Sequence, residues 1–194
     1  MLKLSLAALM AASLLFSGCK DSPGTAPAKA ASTPVSVAAI AAEAKGFTAG
    51  QAMSSRTVYV FFDAQCPHCG ALWEAAKPLR SQAKFVWIPV GLLNPASTTQ
   101  GATLLAAKDP VAAMDEHEAS LRAQRGGITA AGDIDAQKAS VTQNTELMTR
   151  FGFASVPAIV ATHAQTGALV TQEGAMPTAA LAALLGLQPP AAGS

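Results

Sequence analysis

Two cysteines that could exchange a disulfide stand close together in the segment Cys66-Pro67-His68-Cys69. Exchange begins when a thiolate attacks a disulfide sulfur, and a second thiol nearby can then resolve the mixed disulfide. A bond between Cys66 and Cys69 would close a very short loop, and the stabilisation from a disulfide grows with loop length. A structural cross-link therefore explains the pair poorly. The spacing predicts a redox centre that uses its own disulfide and no other cofactor.

The pair lies at the junction between a predicted strand and a predicted helix. Residues 57–62 are β-branched and aromatic without polar alternation, which is typical of a strand buried on both faces. Pro67 suits the first position of a helix, which is predicted over residues 67–82 with a kink at Pro78. Cys66 is therefore the predicted N-cap of this helix.

This position makes the two thiols unequal. Backbone N–H groups and the positive end of the helix dipole lower the pKa of a thiol at the N-cap. His68 adds positive charge near the Cys66 sulfur, and Pro67 restricts the loop between the two cysteines. Cys66 is therefore predicted to be the nucleophile, and Cys69, one turn further on, the resolving thiol.

A Cys-x-x-Cys pair can also be half of a zinc site. The chain has no second pair, and the other candidate ligands, His117 and His163, are single and far apart in sequence. Structural zinc takes four ligands at typical spacings. His117 stands among charged residues and His163 at a predicted strand end, so both are predicted to be surface residues. No metal site is predicted.

The first residues are typical of a targeting segment. Lys3 provides a positive charge, residues 4–16 are apolar, and the small residues 17–18 precede Cys19. The apolar run is too short to span a bilayer comfortably. A signal peptide is therefore predicted over residues 1–18.

Residues 15–19 resemble a bacterial lipobox, with Phe16 where leucine is usual. The resemblance implies lipidation of Cys19, which would anchor the chain through acyl chains rather than a membrane span. Lys20 after the cysteine resembles the pattern of lipoproteins sent to the outer membrane. The alternative is an ordinary signal peptide that is cleaved near Cys19.

Composition excludes some partners. The net charge is +1, charged residues make up 13% of the chain, and there are one Tyr and two Trp. Nucleic-acid binding usually leaves a basic patch or a platform of stacking aromatic residues, so no nucleic-acid partner is predicted. Export would permit a disulfide. If Cys19 carries lipid, Cys66 and Cys69 are the remaining cysteines and form a pair.

The rest of the chain divides into a tether, one domain and a tail. Residues 19–34 mix Pro, Gly, Ser, Thr and Ala without periodicity, which predicts a flexible tether. Residues 35–188 are predicted to form the domain, which opens with an Ala-rich helix within residues 35–47. Residues 189–194 are the predicted tail.

The order of predicted elements indicates a fold. A strand, a helix and a second strand form a βαβ unit with parallel strands. A helical insertion at about residues 92–152 follows, and then two strands and a helix that begins at Pro177. This order fits an α/β thioredoxin fold with a helical insertion. The strands after the first are predicted at residues 85–90, 158–161 and 168–171.

The chain resembles the catalytic domain of the Dsb family of periplasmic thiol:disulfide interchange proteins, and within it the DsbG and DsbC branch. The resemblance spans roughly residues 50–187. The segments that carry it are residues 60–69, Leu72-Trp73, Lys77-Pro78, Val90-Gly91-Leu92, Lys108-Asp109-Pro110, Glu118-Ala119-Ser120, Asn144, Leu147-Met148 and Val156-Pro157-Ala158-Ile159.

The resemblance implies a disulfide oxidoreductase that acts on exported proteins and works with a membrane redox partner of Dsb type. It also implies a cis peptide bond before Pro157, packed against the two sulfurs, which would leave the Val156 backbone free to pair with a substrate strand. Val156 and Pro157 are therefore candidate substrate-binding residues. From the residues alone, a trans proline that opens a strand explains the segment equally well.

Three departures from the DsbG and DsbC pattern matter. Those proteins carry an N-terminal dimerisation domain, whereas the residues between Cys19 and the catalytic domain read as a tether and a short helix, so a monomer is expected. Pro67-His68 and Val156 match the oxidase DsbA instead. Val60 stands where DsbA has a buried acid. The direction of electron flow therefore stays open.

Two other function classes stay open as well. One is a thioredoxin-like protein that handles copper or another metal through the dithiol. The other is a non-catalytic, chaperone-like binding module that would keep its activity without Cys66.

Overall fold

The computed structural model describes residues 32–190. The predicted signal peptide of residues 1–18, the predicted lipidation residue Cys19, and most of the predicted tether and tail lie outside these residues. Between residues 32 and 190, no helix combines the length and the apolar character needed to cross a membrane.

The described residues form five strands and six α-helices. In chain order these are α1 (Val37–Glu43), β1 (Phe47–Gly50), β2 (Thr57–Asp63), α2 (Pro67–Ala76), β3 (Lys84–Val90), α3 (Pro95–Ala106), α4 (Pro110–Arg122), α5 (Asp135–Arg150), β4 (Ala158–Thr162), β5 (Leu169–Glu173) and α6 (Thr178–Leu185).

The strands form one sheet in the order β1-β3-β2-β4-β5. The predicted parallel pair is present, since β2 pairs parallel to β3, and the other neighbouring strands pair antiparallel. The last four residues of both β2 and β3 are buried. Apolar side chains on both faces of a strand require cover from both sides, which explains the helices above and below the sheet.

The two faces of the sheet carry separate cores. One core, which contains Trp73 and Trp87, lies between the sheet and the helices α2 and α6. The other, which contains Phe61 and Met148, lies between the sheet and the helices α1 and α5. The helix α2, which carries the redox motif at its start, thus packs against an aromatic core. In this core the ring centroids of Trp73 and Trp87 are 4.9 Å apart, in an edge-to-face arrangement.

Two predicted elements differ from the structure. The helix predicted within residues 35–47 spans Val37–Glu43, and the strand β1 (Phe47–Gly50), which was not predicted, pairs with β3. This four-residue edge strand follows an Ala-rich run and is too short to show a clear pattern. The helix after Cys66 ends at Ala76, six residues early, and continues as a 3₁₀ turn, Lys77–Leu79. Pro78 lacks the N–H that a further α-helical turn would need.

Helices α3, α4 and α5 lie between β3 and β4, where the sequence predicts a helical insertion. Asp109 caps α4, because its carboxylate accepts hydrogen bonds from the backbone N–H groups of Val111 and Ala112, and Pro110 occupies the first turn. This insertion brings α4 close to the redox helix α2.

Candidate redox site

The two cysteines stand at the start of α2, as the sequence predicts. Cys66 is the N-cap residue, and its carbonyl oxygen accepts hydrogen bonds from the backbone N–H groups of Cys69 and Gly70, at 3.0 and 3.2 Å. Both cysteines are free thiols in the structure. Cys66 is 4% exposed and Cys69 is fully buried, so a partner can approach the first sulfur more readily than the second. Pro67 and His68, between them, are exposed.

The surroundings of the two thiols separate their pKa values. The hydrogen bond from the Cys69 thiol lowers the pKa of Cys66 to about 6, against burial, and the backbone N–H groups of Cys69 and His68 help. The charge of His68 acts in the same direction but is the smallest of these causes. Burial raises the pKa of Cys69 far above its usual range. At neutral pH, Cys66 is therefore the thiolate and Cys69 the thiol.

The segment before β4 lies next to Cys66. Strand β4 runs antiparallel to β2, with Ala158 opposite Phe61, so the start of β4 and the end of β2 share one edge of the sheet. The Cys66 sulfur lies 3.6 Å from the Val156 carbonyl oxygen. The Val156–Pro157 peptide bond is cis. The structure thus places both candidate substrate-binding residues beside the candidate nucleophile.

An apolar groove opens beside Cys66. It encloses about 560 Å³. Leu92 and Leu93, in the loop after β3, form one wall, and these two adjacent leucines are 42% and 53% exposed. The residues that line this groove are Cys66, Pro67, His68, Leu92, Leu93, Ala154, Ser155 and Val156.

Asp63 holds the groove wall and the redox loop together. It is the last residue of β2 and is 1% exposed. One carboxylate oxygen accepts from the backbone N–H of Gln65 at 2.8 Å, and the other accepts from the N–H groups of Leu92 and Leu93 at 2.7 and 3.0 Å. A buried carboxylate is stable when such donors surround it. An acid at the end of a buried strand was a signal in the sequence that the interpretation did not use.

The prediction that His117 is a surface residue is wrong. His117 is fully buried, its Nε2 lies 2.6 Å from the Ala64 carbonyl oxygen, and its Nδ1 accepts from the backbone N–H of Ile128. Because Nδ1 accepts, Nε2 carries the proton and donates. Burial lowers the pKa of this imidazole, which keeps it neutral. Its charged neighbour Glu116 is exposed, and Asp115 accepts a hydrogen bond from the Trp73 indole N–H at 2.7 Å, whereas His117 faces inward toward the loop before Cys66.

His163 lies just after β4, as the sequence predicts, and is half-buried. Its Nδ1 accepts from the backbone N–H groups of Gln165 and Thr166, both at 3.3 Å, so it supports a turn. Neither histidine joins the cysteines. In residues 32–190, no three His, Cys, Asp or Glu side chains converge as a metal site would require.

A buried acid, which was not predicted from the sequence, lies against α2 on the side that faces α4. Glu118 of α4 is 4% exposed, and burial raises the pKa of its carboxyl to about 7. A β-carbon at Gly70, one residue after Cys69, would overlap this carboxyl. The two residues are far apart in sequence, and no local pattern links them.

Comparisons with known proteins place this site in a family. The family model for a thioredoxin-like domain matches residues 47–188. The chain is 36% identical over 139 residues to the thiol:disulfide interchange protein DsbG of Pseudomonas aeruginosa, which covers 71% of this chain and 54% of that protein. It is 33% identical over 104 residues to DsbG of Escherichia coli, which covers 53% of this chain and 42% of that protein. The chain thus spans about half the length of these relatives.

A solved structure shows the same fold. The periplasmic thioredoxin-like protein of Salmonella enterica serovar Typhimurium superposes with a TM-score of 0.61 at 16% identity, covering 79% of this chain and 97% of that one. The predicted α/β thioredoxin fold is confirmed. The family model covers the whole segment from β1 to the end of α6, and the redox motif lies within it. The chain therefore belongs to the thioredoxin-like family.

Proposed function

We propose that this protein is a thiol–disulfide oxidoreductase of Dsb type that exchanges disulfides with exported proteins through Cys66 and Cys69. The observation that carries the proposal is the inequality of the two thiols. Cys66 is held as a thiolate at a helix N-terminus beside an open groove, with a pKa of about 6, and Cys69 is a buried thiol next to it. The thiolate is the attacking species in exchange, and its neighbour can resolve the mixed disulfide.

In the oxidising direction the chemistry has two steps. A thiolate of a client protein attacks the Cys66 sulfur of the Cys66–Cys69 disulfide, that bond breaks, and Cys69 leaves as a thiolate that takes up a proton. A second client thiolate then attacks the client sulfur of the mixed disulfide, which forms the client disulfide and releases Cys66 as a thiolate. Two electrons pass from the client to the protein. The reducing direction is the reverse.

The low pKa of Cys66 favours the oxidising direction. Stabilising the thiolate stabilises the reduced protein, which makes the disulfide a stronger oxidant. One feature opposes this direction: Val60, on the central strand β2 opposite Ile159, supplies no acid to hold the proton of Cys69. We expect the low pKa of Cys66 to outweigh this effect, because one pKa unit corresponds to about 1.4 kcal/mol, or about 30 mV for a two-electron couple.

The groove beside Cys66 would receive the client. The Val156 carbonyl oxygen is 3.6 Å from the Cys66 sulfur, so a client bonded to that sulfur has the Val156 backbone within reach for strand-like hydrogen bonds. Leu92 and Leu93 would contact apolar client side chains next to the reacting cysteine. These contacts suit unfolded exported proteins, whose apolar residues are exposed.

The location and partners follow from the same proposal. The relatives are disulfide interchange proteins, and the superposed structure is periplasmic by its description, which supports a periplasmic site of action. Cys19 would carry the lipid that anchors the chain, and Lys20 after it favours the outer membrane. A membrane protein of Dsb type would return the Cys66–Cys69 pair to its starting redox state.

A Cys19→Ser variant should move the protein from the membrane fraction to the soluble periplasm. Wild-type protein that is wholly soluble and has no acyl mass on its N-terminal peptide would contradict the anchor.

We also expect the protein to be a monomer. A concentration-independent dimer in sedimentation would contradict this expectation.

The function is tested with two serine variants. Cys66→Ser should abolish oxidation and reduction of a client that carries one disulfide. Cys69→Ser should instead accumulate a mixed disulfide between Cys66 and the client, visible by non-reducing electrophoresis and mass spectrometry. Exchange that persists without Cys66 would overturn the proposal.

The apolar groove also supports a second candidate, the chaperone-like binding module. Exposed leucines can hold unfolded protein without redox chemistry. Suppression of client aggregation that is equal in wild type and in the Cys66→Ser variant, with no exchange in either, would favour this function instead.

A further inference from the structure

We propose that the carboxyl of Glu118 is a second titrating group of the redox site, and that its charge sets the stability of the Cys66 thiolate and the reduction potential of the Cys66–Cys69 pair. This inference rests on the proposed oxidoreductase function. It makes Glu118 a positioning residue in the electrostatic sense, since it acts through Cys66 rather than on the client.

Glu118 is largely buried beside the redox helix. It is 4% exposed, and within residues 32–190 no side chain or backbone group donates a hydrogen bond to its carboxyl, which keeps some contact with solvent through a cavity. The carboxyl faces a cavity of about 420 Å³ on the side of α2 away from the apolar groove, between α2 and α4. Most of the cavity lining is apolar, and a lone carboxylate is costly in such a place. The residues around it are Gln65, Pro67, Gly70, Ala71, Glu74, Glu118, Leu121 and Arg122.

Glycine at position 70 lets this acid approach the redox helix. Gly70 lies one turn after Cys66, and its backbone N–H donates to the Cys66 carbonyl oxygen. A β-carbon at Gly70 would overlap the Glu118 carboxyl, so any other residue there would push the acid away. The contact places a carboxyl against the same helical turn that begins with the reactive thiol.

The other charges around Glu118 do not neutralise it. Arg122 on α4 and Lys77 after α2 are the cations that face it, and each already pairs with Glu74, at 3.3 and 2.8 Å. Glu74 and Cys66 on α2 are like charges that oppose its ionisation. Burial is the largest cause and raises the pKa of Glu118 to about 7, close to the value of about 6 for Cys66.

Two acids titrate as a coupled pair when ionisation of one opposes ionisation of the other, as the charge of Cys66 opposes that of Glu118. When Glu118 is ionised, it disfavours the Cys66 thiolate, which raises the pKa of that thiol and makes the disulfide more reducing. When Glu118 is protonated, this opposition disappears. Reduction of the disulfide by a client dithiol delivers two electrons, leaves Cys66 as a thiolate and Cys69 as a thiol, and draws additional proton uptake from solvent to Glu118.

The test compares Glu118→Gln with Glu116→Gln, a matched control on the exposed face of the same helix. In reduced protein, the thiolate absorbance of Cys66 is followed against pH. The glutathione equilibrium constant of the pair is measured at pH 5 and pH 8. Glu118→Gln should lower the pKa of Cys66 by up to about one unit and make the pair about three- to tenfold more oxidising at pH 8. At pH 5, where Glu118 is protonated in wild type, the change should be less than about twofold.

The control should behave as wild type, and Glu118→Asp should keep the pH dependence because it keeps the acid. An equal change at pH 5 and pH 8, or no change at either, would overturn the role of Glu118. If wild type showed no disulfide exchange at all, the proposed function would be wrong instead, so the two failures are distinguishable.

A second measurement needs no variant to fold. The redox-difference infrared spectrum of wild type at pH 7 should show a protonated-carboxyl band that grows on reduction. If the spectrum shows no carboxyl change between the oxidised and reduced protein, Glu118 does not titrate with the redox pair, and the inference is wrong.

Discussion

The two sides of the redox helix are built differently. On one side, the apolar groove is open and its leucine wall is about half exposed, and Asp63 joins this wall to the redox loop through three backbone hydrogen bonds. On the other, the largely buried carboxyl of Glu118 lines the cavity between α2 and α4. In our proposals, one side receives the client and the other sets the charge of the thiol. Changes on the first side should alter binding, and changes on the second should alter potential.

The largest expected effect is the loss of stability when Asp63, on the groove side of the redox helix, is replaced. Asp63→Ala would leave three partly buried backbone N–H groups without their acceptor, at somewhat under about 1 kcal/mol each, so the free energy of unfolding should fall by about 2 kcal/mol. Chemical denaturation measures this. The exposed cap Asp109→Ala serves as a control and should cost about 1 kcal/mol. If both variants lose the same small amount, Asp63 does not hold the site together.

Polar groove residues should separate binding from potential. The double variant Leu92→Ser, Leu93→Ser should raise KM for an unfolded client about tenfold, because partial burial of two leucines is worth on the order of 1.4 kcal/mol. The potential of the Cys66–Cys69 pair should stay unchanged. Leu169→Ser, on the exposed strand β5, is the control and should change neither. A changed potential in the groove variant would remove the distinction between the two sides.

The thiolate should also stabilise the reduced fold. The hydrogen bond from Cys69 depresses the pKa of Cys66 from its ordinary value of 9.0 to about 6. A depressed pKa gives stability that is fully present above pH 9 and is lost as the pH falls through 6. Relative to Cys66→Ser, reduced wild type should gain about 1.4 kcal/mol between pH 5 and pH 7. A pH-independent difference in unfolding free energy would show that the thiolate is not stabilised.

The smallest effect is expected at His68. Its charge is the weakest of the causes that lower the pKa of Cys66, and the side chain is exposed. His68→Tyr should therefore make the pair more reducing by less than about tenfold, the change that one full pKa unit would give. The glutathione equilibrium constant measures it. A shift beyond tenfold would mean that His68, rather than the Cys69 hydrogen bond, controls the thiolate.

Local patterns in the sequence were enough to locate the redox motif. A β-branched run, a proline at the first helical position and a Cys-x-x-Cys pair all lie within about a dozen residues, so the N-cap position of Cys66 could be predicted. The helical insertion could be predicted from local patterns as well, because Asp109 and Pro110 are typical of a helix start.

Contacts between distant segments could not be predicted. His117 was misplaced because its immediate neighbours are charged, whereas the spacing of Met114, His117 and Glu118 puts all three on the inner face of α4. Glu118 meets Gly70 only because the insertion folds back on the redox helix. Strand β1 depends on its pairing with β3 rather than on its own short sequence.

The central claim is that Cys66 is the activated thiol and Cys69 the protected one. The most direct measurement is the rate of alkylation of each cysteine in the reduced, folded protein as a function of pH, resolved by peptide mass spectrometry. Cys66 should react with an apparent pKa near 6, and Cys69 should stay unmodified until the protein unfolds. Equal alkylation rates for the two thiols at neutral pH would contradict the account.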